Sequence, residues 1–67
     1  MKLPPLLESA PSDTLAVLLA AKEGRRDPYR QMMTVVLRNY GYVNVEGDEV
    51  YLTDLGRQLL FTLRLKS

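Results

Sequence analysis

Cysteine, histidine and tryptophan are all missing from the 67 residues. Without cysteine there is no disulfide and no thiolate metal site, and without histidine the commonest metal ligand and the usual general base are gone. Net charge is scarce too: nine Lys and Arg stand against eight Asp and Glu, leaving +1. The field of the whole molecule therefore exerts little pull on nucleic acid or an anionic membrane, and any such binding must come from local clustering. Long apolar runs are absent as well. The longest, residues 15–21, falls far short of the roughly 20 residues that span a bilayer. Residues 1–5 carry no signal-peptide apolar stretch, so the chain reads as cytoplasmic, with no membrane partner. Neither a G-x-G-x-x-G nor a lysine-bearing phosphate loop occurs. The candidate nucleophiles Ser9, Ser12, Thr14, Thr34, Thr53, Thr62 and Ser67 have no histidine to activate them, and the carboxylates form no recognisable pair or metal-ligand motif. These absences point away from an enzyme and imply no cofactor and no metal site.

The residues that are present make a globular composition, 46% hydrophobic and 25% charged, with room for a single domain over residues 12–67 behind an arm. A domain of this size buries only about 60% of the surface its unfolded chain exposes, so a partner or a second copy would add core. Pro4, Pro5 and Pro11 punctuate residues 1–11, which predicts an extended arm whose leucines pack on its own domain or dock on another chain. Ser12 behind Pro11 is a candidate N-cap, Leu15, Leu18 and Leu19 share a face, and Gly24 is a stop, giving a helix over about residues 12–23.

Asp27-Pro28 predicts the next helix start and Gly41 its end. Between them Tyr29, Met32, Met33, Val36, Leu37 and Tyr40 follow the spacing of a buried stripe over residues 28–40. Beyond Gly41 the period becomes two. Val43 and Val45, then Val50 and Leu52, alternate with polar residues around Gly47-Asp48, which predicts a β-hairpin pairing Val45 with Val50 and Val43 with Leu52. Its tip sets Glu46 opposite Glu49, like charges that favour a solvated edge or a positive contact. Thr53 caps a last helix with Leu55, Leu59 and Leu63 as its core stripe, leaving Phe61 and Leu65 on another side. The expected class is α+β, in the order helix-helix-strand-strand-helix with an extended N-terminal arm.

Particular residues narrow that class. Leu37-Arg38-Asn39-Tyr40-Gly41-Tyr42-Val43, and then Gly47 through Leu52-Thr53-Asp54-Leu55-Gly56-Arg57, resemble the recognition-helix exit, wing and LT-x-x-G helix start of winged-helix transcription regulators of the MarR and PadR type. The resemblance covers residues 27–60. It implies a small winged helix-turn-helix domain, a DNA-binding regulator whose recognition helix is residues 28–40. Those families carry two helices ahead of the recognition helix, where residues 12–23 supply one. Their wing tips usually carry arginine or lysine, where this tip reads Glu46-Gly47-Asp48-Glu49.

On a helical wheel Arg30, Thr34, Arg38 and Gln31 fall within about 100° of one another, a polar strip opposite the apolar one. Arginine can bond a guanine edge, glutamine an adenine, and threonine can touch a thymine methyl. Arg25 and Arg26 precede this helix, where phosphates are held by side chains and backbone N–H groups. Candidate DNA-binding residues are thus Arg25, Arg26, Arg30, Gln31, Thr34 and Arg38, with double-stranded DNA as partner. Equally, such a strip is what any amphipathic helix shows to water, and Arg25-Arg26 is an ordinary exposed turn. Tyr42, Tyr51, Phe61 and Leu65 form a candidate partner or dimer surface, the last two serving a homodimer through the C-terminal helix. The alternative to a DNA binder is a protein-interaction module that uses the acidic hairpin and that helix.

Overall fold

Two glycines stop two helices by the same device. The computed structural model describes residues 5–66, ordered as α1 (Pro5–Ser9), α2 (Pro11–Lys22), α3 (Gln31–Asn39), β1 (Val43–Glu46), β2 (Glu49–Leu52) and α4 (Asp54–Lys66). At the end of α2 Gly24 takes φ 73°, and the Arg25 and Gly24 amides donate to the Ala20 and Ala21 carbonyls at 2.9 and 3.0 Å. At the end of α3 Gly41 takes φ 82°, while the Tyr42 and Gly41 amides donate to the Leu37 and Arg38 carbonyls at 2.9 and 3.0 Å. Both are Schellman caps, which satisfy carbonyls a helix end leaves open and need a left-handed residue that glycine adopts without strain.

The fold is α+β. After the short α1, the order is helix, helix, strand, strand, helix, with β1 and β2 antiparallel. The hairpin register is the expected one: Val43 faces Leu52, Asn44 faces Tyr51, Val45 faces Val50 and Glu46 faces Glu49. Helix α2 is the central element, touching α1, α3, β2 and α4. Its covered face is Thr14, Val17, Leu18 and Ala21, rather than Leu15, Leu18 and Leu19, and Leu19 is exposed. Leu7, Leu18, Leu37 and Leu59 are fully buried from four different helices, each contributing about 1.5–3 kcal/mol relative to exposure.

Several expectations are corrected. The arm is not extended over its described part: Pro5–Ser9 is a helical turn that inserts Leu7 into the core, while residues 1–4 of the expected arm lie outside the described residues. Proline suits the first position of a helix, where its missing N–H has no partner to lose. The same physics moves the start of α2, where Pro11 takes the first turn and Ala10, with no side-chain bond, stands where Ser12 was expected. Helix α1 also places a second helix ahead of α3.

In α3 the buried residues are Thr34 and Leu37, with Met33 and Val36 half-covered against the core. Tyr29 and Met32, 91% and 79% exposed, and Tyr40, also exposed, do not belong to a buried stripe. The helix starts after Arg30 because Asp27 Oδ1 accepts the Tyr29 amide at 3.0 Å, closing a separate turn in which the Arg30 amide donates to the Asp27 carbonyl. In α4, Leu55 is exposed, and the covered face is Gly56, Leu59, Leu60 and Leu63.

Gly56 is buried in a helix for lack of space. A Cβ there would overlap the Tyr42 carbonyl oxygen, so the helix can approach the α3–β1 connection only at this residue. At Gly47, by contrast, φ is 60° and nothing lies within 4 Å of where a Cβ would stand, so alanine there meets only backbone strain. Gly56→Ala is expected to cost more than about 2 kcal/mol in urea denaturation, an overpacking loss. Gly47→Ala should cost about 1 kcal/mol, the left-handed penalty. A smaller loss at position 56 than at 47 would contradict the close approach.

Candidate nucleic-acid interface

Helix α3 has one side on the core and one side exposed, bordered by β1. The free side carries Gln31, Met32, Val35, Arg38 and Asn39, all exposed. It is continuous with a depression of about 200 Å³ between α3 and β1, lined by Arg26, Gln31, Thr34, Val35, Arg38 and Val45. Four of the six expected DNA-contacting residues therefore meet around one hollow.

Their individual circumstances differ. Among the described residues Arg38 has no ion-pair partner, and its guanidinium is available at the exposed side of the helix. Gln31 is exposed and held lightly, its Nε2 3.4 Å from the Pro28 carbonyl, which a stronger acceptor would displace. Arg26 donates from Nη2 to the Gly47 carbonyl at 3.0 Å, placing a cation against the acidic hairpin tip. Arg25 pairs with Glu23 at 2.9 Å, both exposed, so this contact is weak and exchangeable.

Two of the expected readers are engaged within the protein. Thr34 is buried, and its Oγ1 donates back to the Arg30 carbonyl at 3.0 Å, so the hydroxyl is consumed inside the helix. Arg30 is engaged twice: Nε donates to Asp13 Oδ1 and Nη1 to Asp27 Oδ2, each at 3.0 Å. One guanidinium between two carboxylates leaves that cluster negative. The bond to Asp13, followed by that to Asp27, holds the Arg30 pKa above its ordinary value. Arg30 thus ties α2 to the start of α3 and fixes the angle at which α3 is presented.

The expected partner surface divides. Tyr42 is buried at 6% exposure, because it is the residue after the Gly41 cap and packs back toward Leu37 as such caps require. Tyr51 remains on the surface, its ring lying 3.1 Å from where a Gly24 side chain would begin. Its hydroxyl pKa is raised by hydrogen bonding to Glu49 and by partial burial. Phe61 and Leu65 are 65% and 71% exposed and border a second, larger groove of about 550 Å³ between α2, β2 and α4.

Sequence reasoning misses Met32, Val35 and Asn39 on the free face of α3. The phase of that helix, set by Thr34 and Leu37 inside, is the signal that reveals them. Among the described residues no group of three carboxylates could hold a metal, and no helix is long and apolar enough to cross a membrane. Compared with protein families, curated proteins and solved structures, the chain has no match.

The paired state of Arg30 has a measurable consequence. Arg30→Ala is expected to lower the melting temperature by an amount that shrinks as salt is raised, because exposed ion pairs are screened. Asp13→Asn should reproduce part of that loss. A salt-independent melting temperature for Arg30→Ala would show that the two contacts do not matter.

Proposed function

We propose that this is a small winged-helix DNA-binding protein that acts as a transcription regulator, with α3 entering the major groove. The observation that carries the reading is the free face of α3, on which Gln31 and Arg38 stand beside Arg26 around a single hollow. A helix of nine residues is long enough to present two turns of side chains to a groove roughly 12 Å wide. In this reading Arg38 addresses a guanine edge and Gln31 an adenine, while Val35 and Met32 offer apolar contact to thymine methyl groups. Arg25 and Arg26, in the turn before α3, hold phosphates and set the register. Arg30 acts as a positioning residue through Asp13 and Asp27.

The hairpin takes a different part from the wings of the resembled families. Glu46, Asp48 and Glu49 are exposed at its tip, and carboxylates repel a phosphate backbone. The acidic tip therefore opposes the approach of a duplex, and Arg26, bonded to the Gly47 carbonyl, offsets part of that charge. A footprint of so few cations is small, so binding is weak and strongly dependent on salt.

Fluorescence anisotropy with a labelled duplex tests this. Affinity should fall steeply between about 50 and about 200 mM salt. Arg38→Ala should cost about 1–3 kcal/mol on a selected site, the value of one bidentate base contact. Arg26→Ala should weaken all sequences alike and flatten the salt dependence. Unchanged affinity in the Arg26→Ala, Arg38→Ala double variant would refute the reading.

A further inference from the structure

The groove between α2, β2 and α4 shares no residue with the hollow beside α3, so its role is independent of DNA binding. Its volume is about 550 Å³, and its walls combine apolar side chains (Ala21, Leu52, Leu60, Phe61, Leu65) with basic ones. Leu60 lies at its base, nearly buried, while Phe61 and Leu65 project at 65% and 71% exposure. Apolar surface of this kind on a small domain marks an interaction site.

Two features identify the occupant. The first is shape. The lining residues of α4 are Arg57, Leu60, Phe61, Arg64 and Leu65, spaced i, i+3, i+4, i+7, i+8, so the groove follows α4 for about 12 Å, or two helical turns. A trough of that form fits another amphipathic helix laid alongside. The second is charge. Lys22, Arg57 and Arg64 all line it and no carboxylate does. Arg57 is offset by Asp54 at 2.8 Å, which is itself outside the lining, and Lys22 has no ion-pair partner among the described residues.

A second copy fits poorly. A two-fold pair of these grooves would set Lys22, Arg57 and Arg64 against their own copies, and like charges brought together in a partly desolvated interface oppose association. Insertion of a second copy's acidic hairpin would close only as a reciprocal pair or a ring, and sedimentation of the free chain distinguishes that case. We propose that the groove is the docking site for a short acidic amphipathic helix of a partner protein, whose apolar side chains cover Phe61, Leu60 and Leu65 and whose carboxylates meet the basic rim at Lys22.

The probe is a synthetic three-turn peptide with leucine at i, i+3, i+4 and i+7 and glutamate on the flanks, together with a version carrying lysine for glutamate. Each is titrated into the labelled full chain and followed by amide shifts. The acidic peptide should saturate, moving residues 21–22, 51–52 and 57–65, and should bind about tenfold more tightly than the lysine version. Phe61→Ser and Lys22→Glu, both at exposed positions, should each weaken it about tenfold or more while leaving the melting curve in place. Equal binding of the two peptides overturns the charge argument. Absence of saturable shifts up to about 1 mM overturns the site, since that limit corresponds to only about 4 kcal/mol. Sedimentation showing a dimer of the free chain that Phe61→Ser dissociates would assign the groove to a second copy instead.

Discussion

One threonine holds the two halves of this protein together. Thr53 Oγ1 donates to the Gly41 carbonyl at 2.6 Å and accepts the Gly56 amide at 3.0 Å, while the Thr53 amide donates to the Tyr42 carbonyl at 3.1 Å. A single residue thus joins the end of α3, the entry to β1, the exit of β2 and the first turn of α4. Each of these bonds satisfies a backbone group that a chain terminus or crossing would otherwise leave open. Glycine at position 56 lets α4 come close enough for the set to form. The hairpin and α4 are therefore fixed relative to α3 without a large core.

That constraint decides which surfaces are left over. With the hairpin pinned against one side of α3 and α2 on another, one face of α3 stays clear, and the Arg30 bonds to Asp13 and Asp27 set how it is presented. Charge is distributed in keeping with this. Arg30 is spent on two carboxylates and Arg25 shares an exposed, exchangeable pair with Glu23, so the positive character around α3 rests mainly on Arg26 and Arg38. On the opposite flank α4 turns Phe61 and Leu65 outward beside Lys22 and Arg57. The molecule accordingly has two separate surfaces, one polar with a small positive footprint and one apolar with a basic rim.

The hairpin, the C-terminal ends of α2 and α3 and the start of α4 are legible in the sequence because local chemistry fixes them. Gly47-Asp48 admits one register, and Gly24, Gly41 and Thr53 sit where a cap is needed whatever the surroundings. The phase of α3 is not legible. Asp27-Pro28 has the form of a cap and first-turn proline, and Tyr29, Met32 and Tyr40 are apolar at helical spacing. The structure instead buries Thr34, which can go inside because its hydroxyl returns to the Arg30 carbonyl. The helix start is displaced by the separate turn that Asp27 closes over Tyr29 and Arg30, a use of the same cap residue that competes with starting the helix at Pro28. Tyr42 departs from its expected place for a similar reason: it belongs to the cap of α3 and not to the alternation of β1. In α4 the glycine at position 56 is the available clue that the stripe runs through 56, 59, 60 and 63 and leaves Leu55 outside. Of the candidate site, Arg26, Gln31 and Arg38 follow from pattern, whereas the paired state of Arg30 and Arg25 needs coordinates.

The measurement closest to the central claim is an amide-shift titration of the full chain with a random-sequence DNA duplex, at about 50 mM and then about 200 mM salt. Binding through the free face of α3 predicts movement at Arg26, Gln31, Val35 and Arg38 that fades as salt rises, with Tyr51, Phe61 and Leu65 unmoved. A spectrum that does not respond at low salt, or movement concentrated along α4, would contradict it.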